Sequence, residues 1–385
     1  MVRLTLSPVW QVGSQSKWMI TKYSIWFLLQ YIVNLCIIVL VFYALRHSTP
    51  PIGNHLVYYG TIGYSMDQEG KTLTTENQLN ELRLERARRM LKIGNLSRFK
   101  VATSSHRLTI GILASGRHNH ELTQLIGHLS NYLTDNFRLV ICNVEYSSIA
   151  RPQEVTHFEQ FLEVIDINSA PTASKNFEVY SNRIAKEAQD YWKCLNQTAK
   201  WGSDYVLLLE DDALPVPEFN TAINSIMRQL DKIKQVDYVK LFHPWRLRGI
   251  PSLFQTIIVT TFLAYFLQLL IWRDRNLFVI LLVTVSGHIV VRMYFREIFA
   301  DVQFFITQSA QLSKAESCCT PAVIFRAFKI GEIVTELSSE KATLKHAKDH
   351  ILDESKFEGR ATDANFVVHI GYYSYLRKKI VRTGN

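Results

Sequence analysis

The fold is decided by the stretch Tyr205-Val-Leu-Leu-Leu-Glu210-Asp211-Asp212, in which an apolar β-type run ends in consecutive carboxylates. The segment Ala213-Leu-Pro215-Val-Pro217 then breaks the direction of the chain. A buried strand with acids at its carboxyl end lies where open α/β sheets bind ligands. Carboxylate oxygens suit divalent cations such as Mg²⁺ and Mn²⁺, which bridge diphosphates. A solvated acidic turn is the alternative, but the apolar run and the prolines favour a cation site.

The charges of this acidic stretch also make a prediction. Like charges at one strand end repel one another, so a bound cation or solvent is expected to offset them. We expect Asp212 to be an exposed acid at the strand end that contributes little to the core.

The segments around the acidic strand alternate between strand and helix patterns. Periodicity and turn residues predict helices over 75–93, 120–133 and 181–199, and strands over 108–113, 138–144 and 237–242. The β-α-β order argues for a parallel sheet with right-handed crossovers.

Composition and charge exclude several classes of protein. A length of 385 residues allows one large or two ordinary domains. The net charge of +9 comes from scattered residues, several of them beside apolar segments, which fits membrane topology better than a nucleic-acid groove. The 5 cysteines include no Cys-x-x-Cys pair, so a structural zinc site is not expected, and a secretory lumen fits the count better.

Three apolar stretches are long enough to cross a bilayer core, which takes about 20 residues. Tyr23–Leu45 lacks a small-residue cleavage site and is predicted to be an uncleaved signal anchor. Ser252–Trp272 and Leu277–Phe295 form a hairpin whose short link, Arg273–Asn276, carries two arginines and is expected on the cytosolic side.

These spans define a domain organisation. With a cytosolic N-terminus, the parity of three crossings places everything outside the spans and the link in the opposite compartment. The predicted order is a cytosolic tail (1–22), the anchor (23–45), a luminal stem (46–100), the first part of a soluble domain (101–251), the hairpin (252–295) and its second part (296–385). Asn95-Leu-Ser97 and Asn196-Gln-Thr198 are then glycosylation acceptors.

Six short motifs in fixed order carry a resemblance. They are Ile141-Cys-Asn-Val-Glu145, Gln189-Asp-Tyr191, Leu209-Glu-Asp-Asp-Ala-Leu-Pro215, Leu241-Phe-His-Pro244, Cys318-Cys-Thr-Pro-Ala322, and His369-Ile-Gly371 followed by Ser374-Tyr-Leu-Arg377. With a hairpin between the fourth and fifth, the chain resembles the post-GPI-attachment GalNAc transferase family of the Golgi. The acidic and double-cysteine motifs are also similar to N-acetylglucosaminyltransferase IV enzymes, which lack the hairpin.

The resemblance implies a fold, an activity and a location. The fold is glycosyltransferase type A, a Rossmann-like α/β fold with a mostly parallel sheet, split by the membrane hairpin. The enzyme is expected to be a multi-pass Golgi membrane protein with a luminal catalytic domain. It would transfer GalNAc from UDP-GalNAc, with inversion, to a mannose of the GPI glycan on GPI-anchored proteins or GPI glycolipid. The alternatives are an N-glycan enzyme of the second family and a non-catalytic membrane protein.

The resemblance also assigns roles at the site. Mn²⁺ or another divalent cation would neutralise the leaving diphosphate, held by Asp212 with Asp211 or Glu210 and by a histidine that the His-Ile-Gly motif maps onto His369. The Lys-Asp motif makes Asp349 the candidate general base, ahead of Asp353 and Glu354. A capping or solvated acid is the alternative for Asp349.

The remaining assignments concern the donor and the cysteines. Arg117 is expected to meet the donor's phosphates, and Glu145 to face the nucleoside. The other candidates for donor contact are Gln189, Asp190, Tyr191 and Asp211. Cys142 and Cys194 match cysteines of the family and are expected to pair, whereas Cys318 and Cys319 either pair with each other or stay free, and Cys36 in the first span is unpaired.

Overall fold

The structure, a computed structural model, divides into two units. It describes residues 12–48, 65–66, 72–73, 76–99, 106–117, 119–134, 137–145, 151–168, 180–242, 253–273, 276–315, 319–339, 347–370, 373–374 and 379–380. The membrane unit comprises Met1–Thr49 and Ile250–Ala300, and the sheet unit comprises Pro50–Gly249 and Asp301–Asn385.

The helices and strands are numbered in chain order. The helices are α1 (Val12–Ser48), α2 (Glu76–Ile93), α3 (Glu121–Tyr132), α4 (Gln153–Glu159), α5 (Tyr180–Ala199), α6 (Phe219–Lys232), α7 (Leu253–Leu267), α8 (Leu277–Val290), α9 (Arg296–Thr307), α10 (Ile330–Leu337) and α11 (Lys348–Asp353). The strands are β1 (Ser65–Met66), β2 (Thr72–Leu73), β3 (Leu108–Ala114), β4 (Phe137–Asn143), β5 (Glu163–Asp166), β6 (Tyr205–Glu210), β7 (Ala213–Pro215), β8 (Tyr238–Lys240), β9 (Leu312–Lys314), β10 (Ala322–Arg326), β11 (Gly359–Thr362), β12 (Val367–His369), β13 (Tyr373–Ser374) and β14 (Lys379–Ile380).

The sheet unit is built on an eight-stranded sheet in the order β5-β4-β3-β6-β10-β8-β11-β9. Strands β5, β4, β3 and β6 are parallel, as is the pair β8 and β11, whereas β10 and β9 run antiparallel to their neighbours. The predicted α/β fold with a mostly parallel sheet is confirmed. Its central strands β3 and β4 are buried along their whole length, which explains their nearly continuous apolar sequences.

Helices cover the sheet and complete its core. On one side, α5, α10 and α11 pack on the central strands through a cluster that includes Tyr191, Leu195, Phe325, Ile333 and Leu352. Helix α2 lies against α3, where a Cβ at Gly127 would come within 2.7 Å of the Ala87 Cβ. The close approach of the two helices therefore requires glycine at this position.

The membrane unit contains the three apolar helices that the sequence predicted. They are long and apolar enough to cross a bilayer over Ser24–Leu45, Phe254–Trp272 and Leu277–Tyr294, with mean hydropathies of 2.5, 1.8 and 2.0. Inside the unit, the Asn34 amide donates to Gln268 Oε1 at 2.8 Å. Gln268 in turn donates to Gln30 Oε1 at 3.2 Å, so the polar side chains of α1 and the hairpin satisfy one another.

A two-stranded ribbon joins the end of the sheet unit to the acidic stretch. Strand β12 pairs antiparallel with β7, which sets His369 opposite Ala213. The Ile370 amide also donates to the Asp212 carbonyl at 2.9 Å. The ribbon thus brings a residue more than a hundred positions downstream to the carboxyl end of β6.

Candidate metal centre

Three side chains of ligand type meet at the carboxyl end of β6. Glu210 is the last residue of the strand, Asp212 follows two positions later, and His369 ends β12. Each offers one ligand atom, and these atoms all lie within 4.8 Å of one another. The structure therefore brings together three of the four predicted ligands.

Asp212 is a buried carboxylate with an incomplete set of partners. Its exposed fraction is 0%. Its Oδ2 lies 2.6 Å from Arg117 Nη1 and 3.1 Å from His369 Nε2. Both oxygens are buried and accept no hydrogen bond of good geometry from the residues that the structure describes, and of the two only Oδ2 lies within ion-pair distance of a basic group.

The expectation that Asp212 is exposed was wrong. The β7–β12 ribbon runs directly past it, as the backbone bond from Ile370 shows, and the Arg117 guanidinium closes another side. A turn of acidic residues at the end of a strand would be solvated. Here β12, a strand from much later in the sequence, covers the carboxyl end of β6.

Asp211 has a different environment from its neighbour. Its Oδ2 accepts hydrogen bonds from the Ser115 amide at 2.7 Å and the Ser115 hydroxyl at 2.8 Å. Its Oδ1 accepts one from Arg117 Nε at 2.7 Å. Both oxygens thus hold the loop after β3, and Asp211 lies outside the three-residue cluster. Its predicted roles as cation ligand and donor contact remain predictions.

Basic side chains offset the acidic stretch within the protein itself. Arg117 contacts Asp211 and Asp212, and the Lys348 ammonium lies 2.8 Å from Glu210 Oε1. The sequence predicted that a bound cation or solvent offsets the negative charges. The structure shows that Arg117 and Lys348 offset part of them. The sequence could not reveal this arrangement, because Arg117 and Lys348 are 94 and 138 positions away from their partners Asp211 and Glu210.

The electrostatics of the cluster favour an ionised aspartate. Burial alone would raise the pKa of Asp212, but the charges of Arg117 and His369 outweigh it and hold that pKa below its ordinary value. For His369 the two effects have the opposite signs. Burial lowers its pKa, but the adjacent Asp212 outweighs burial and raises that pKa above its ordinary value. Burial raises the pKa of nearby Glu121 to about 7, with a further contribution from Asp211.

The predicted donor-contacting residues lie in different surroundings. Glu145 follows β4 and lies beside the loop after β3, its Cγ 3.4 Å from where a Cβ on Gly116 would be. Gln189 is exposed on α5. Asp190 is buried and accepts from Asn168 and Lys186 at 2.8 and 2.6 Å. Tyr191 is a core residue with 1% exposure.

The candidate base Asp349 lies at the start of α11, next to Lys348. Its Oδ2 accepts a hydrogen bond from the Cys319 amide at 3.1 Å. The alternative Asp353, one turn later, is engaged by Lys240 and Tyr238, and the alternative Glu354 has a side-chain exposure of 62%. Within this helix, Asp349 thus contacts the Cys319 backbone, whereas Asp353 is paired with Lys240 and Tyr238.

Comparison with known proteins identifies the family. The family described as GPI-N-acetylgalactosamine transferase PGAP4 matches residues 108–369. The chain belongs to this family. The matched region includes the whole acidic stretch, the hairpin and His369, so the resemblance noted in the sequence is confirmed.

Two solved structures are similar over part of the chain. The crystal structure of S. aureus TarS 1–349 is 12% identical, with a TM-score of 0.35, and the match covers 68% of this chain and 59% of TarS. The mannosyltransferase PcManGT from Pyrobaculum calidifontis, solved with GDP-Man and Mn²⁺, is 17% identical, with a TM-score of 0.26 and 45% of each chain covered.

The predicted cysteine pair is present in the structure. A disulfide joins Cys142 on β4 to Cys194 on α5, and Cys36 is free. Cys319 is disulfide-bonded, whereas Cys318 lies outside the described residues.

The two sequons differ in accessibility. Asn95 is exposed beside a short 3₁₀ helix, and its Oδ1 accepts from the Ser97 amide at 3.1 Å. Asn196 is exposed on α5, but Thr198 of the same sequon is fully buried.

Proposed function

We propose that this protein transfers GalNAc from UDP-GalNAc to a mannose of the GPI glycan, with inversion and with dependence on Mn²⁺ or another divalent cation. Membership of the GPI-N-acetylgalactosamine transferase family supports the reaction and the acceptor. The observation that carries the mechanism is the cluster of Glu210, Asp212 and His369 at the carboxyl end of a central strand. Parallel strands present their ligand sites at this end.

The residues fit a hard divalent cation. Two carboxylates and one imidazole form a donor set that Mn²⁺ accepts. Asp212 Oδ1 is buried without a hydrogen bond in the described structure, and a buried polar atom of this kind requires a partner. Glu210, Asp212 and His369 would hold the cation, which when bound neutralises the negative charge of the leaving diphosphate.

Neighbouring side chains hold Asp212 in position and keep its carboxylate ionised. Arg117 contacts both Asp211 and Asp212. Because Asp211 also bonds to the loop after β3, these contacts hold Asp212 and that loop in one arrangement. The lowered pKa of Asp212, which the charges of Arg117 and His369 produce against the effect of burial, keeps its carboxylate ionised at neutral pH. Glu145, at the end of β4, borders the same loop and would face the nucleoside.

Asp349 would act as the general base. In a single displacement, the acceptor hydroxyl oxygen bonds to the anomeric carbon as the bond to the diphosphate breaks. Asp349 takes the hydroxyl proton, and the configuration inverts. The Cys319 amide holds the carboxylate in place at the start of α11.

We also place the protein in the Golgi membrane, with the N-terminal tail and Arg273–Asn276 in the cytosol and the sheet unit in the lumen. The arginines of the link and the parity of the apolar helices support this topology. It predicts glycosidase-sensitive modification at Asn95 or Asn196. Absence of a glycan at both sites, together with protease cleavage near them in sealed vesicles, would contradict it.

The function is tested by mass analysis of GPI glycans from cells with and without the protein. We expect the GalNAc side branch to disappear in its absence and to return with the parent chain but not with Asp212→Asn. Unchanged GPI glycans with altered N-glycans would indicate an N-glycan enzyme. Restoration by Asp212→Asn would indicate a non-catalytic role.

A further inference from the structure

Lys348 is a buried cation that joins three elements of the sheet unit. It is the first residue of α11, and its exposed fraction is 7%. Its ammonium donates to Glu210 Oε1 at 2.8 Å and to the Glu187 carboxylate on α5. The Nζ also lies 5.1 Å from the centre of the Tyr191 ring.

These contacts hold the ammonium on several sides. Glu187 and Tyr191 are four residues apart on α5 and therefore share one face of that helix. An ammonium has three donors, and carboxylates take two of them while an aromatic face covers another side. Removing a buried charge from such partners is costly, so Lys348 is fixed between α5 and the end of β6.

We propose that Lys348 is a positioning residue for the cation site: it holds the Glu210 carboxylate in the orientation in which Glu210 joins Asp212 and His369. This inference rests on the proposed function, because it concerns the affinity of the cluster for its cation. Since Asp349 is the next residue, the same contact ties the helix of the candidate base to the strand that carries the cation ligands.

Two physical effects of Lys348 on a bound cation have opposite signs. Its positive charge repels a cation, so a purely electrostatic role would let the affinity for Mn²⁺ rise when the charge is removed. An orienting role predicts the reverse, because partners that orient metal ligands typically contribute about 10- to 100-fold to affinity. The direction of the change therefore separates the two.

The test is a titration of the full-length protein in detergent with Mn²⁺ alone, with free Mn²⁺ followed by electron paramagnetic resonance. We expect Lys348→Met to raise the Kd for Mn²⁺ about 10-fold or more. Lys348→Arg, which keeps the charge and the donors, should raise it less. Lys240→Met is the matched control, since it removes another buried lysine whose partner, Asp353, does not belong to the cluster, and its Kd should stay near that of the parent.

An equal or lower Kd in Lys348→Met than in the parent overturns the proposal. If that variant does not fold, Lys348→Gln replaces it under the same criterion. A parent chain that binds no Mn²⁺ refutes the cation site itself, and the role of Lys348 with it. The failure of the proposed function is thereby distinguished from the failure of this inference.

Discussion

Asp212 and Asp353 both have nearly inaccessible side chains, 0% and 5% exposed, and each pairs with a basic side chain, yet their surroundings differ in one respect. Asp353 Oδ2 accepts from Lys240 at 2.5 Å, and its Oδ1 accepts from the Tyr238 hydroxyl at 2.7 Å. Asp212 directs one oxygen at Arg117 and His369, and its other oxygen has no hydrogen bond from the described residues.

The difference distinguishes a carboxylate that stabilises the fold from one that can bind a ligand. The two carboxyl groups are similarly inaccessible and each faces a basic group, but each oxygen of Asp353 has a protein partner. Asp353 therefore stabilises β8 and α11 and offers no oxygen to a ligand. Asp212 keeps an oxygen available, next to a second carboxylate and an imidazole. An oxygen without a protein partner, rather than burial, therefore distinguishes the candidate metal site.

The strongest test of this contrast is Asp212→Asn, which we expect to lower kcat about 1000-fold or more. A cation contributes several kcal/mol to the transition state, and each ~1.4 kcal/mol is tenfold in rate. Asparagine is preferred to alanine, because it fills the same space beside Arg117. Initial rates and Mn²⁺ binding should both fall, while the thermal unfolding temperature of the sheet unit changes little because Arg117 keeps Asp211 as an anionic partner. Normal Mn²⁺-dependent turnover would remove Asp212 from the cation site.

Lys240→Met should give the opposite pattern. It leaves Asp353 buried without its cation, a change that costs about 3 kcal/mol or more of stability. Thermal unfolding in detergent should occur at a lower temperature, while the Kd for Mn²⁺ stays at the parental value. A change in Mn²⁺ affinity at unaltered stability would break the distinction between the two aspartates.

Asp349→Asn sharpens the contrast within one helix. A general base contributes at least about 100-fold to the rate, so kcat should fall by that factor. Binding of Mn²⁺ and of UDP-GalNAc should be spared, since the base acts on the acceptor proton. Equilibrium binding and single-turnover rates separate these steps. A variant that transfers GalNAc at the parental rate would return Asp349 to the role of a helix-capping acid.

The smallest effect is expected from a buried polar cluster without charge. Gln268 bonds to Asn34 and Gln30 inside the membrane unit. Hydrogen bonds between membrane helices contribute roughly 0.6 to 2 kcal/mol, so Gln268→Leu should destabilise that unit by about 1 kcal/mol. Thermal unfolding would measure the loss of stability, and Mn²⁺ titration should give the parental Kd. Lost Mn²⁺ affinity in this variant would show that buried polarity of any kind affects the cation site.

The sequence predicted the parts of the fold that local patterns encode. The apolar runs of β3, β4 and β6 and the helices α2, α3 and α5 lie within a few residues of their predicted bounds. The antiparallel strands β9 and β10 and the short β11 were not predicted, because brief segments carry little periodicity. The three membrane helices followed from length and hydropathy alone.

The site was predictable in its ligands more than in its surroundings. Glu210 and Asp212 follow from a strand that ends in acids, and His369 came from the resemblance. The burial of Asp212 depends on the pairing of β7 with β12, and the compensation by Arg117 and Lys348 depends on contacts between distant segments. Such pairings leave no trace in local composition.

In the proposed mechanism, transfer depends on a cation at Glu210, Asp212 and His369. The most direct test is the rate of GalNAc transfer from UDP-GalNAc to a GPI-glycan acceptor by the purified full chain, measured after chelation and during titration with Mn²⁺. We predict that chelation abolishes transfer, that Mn²⁺ restores it with saturation, and that Asp212→Asn is not restored. Full transfer by the chelated parent enzyme would contradict the account.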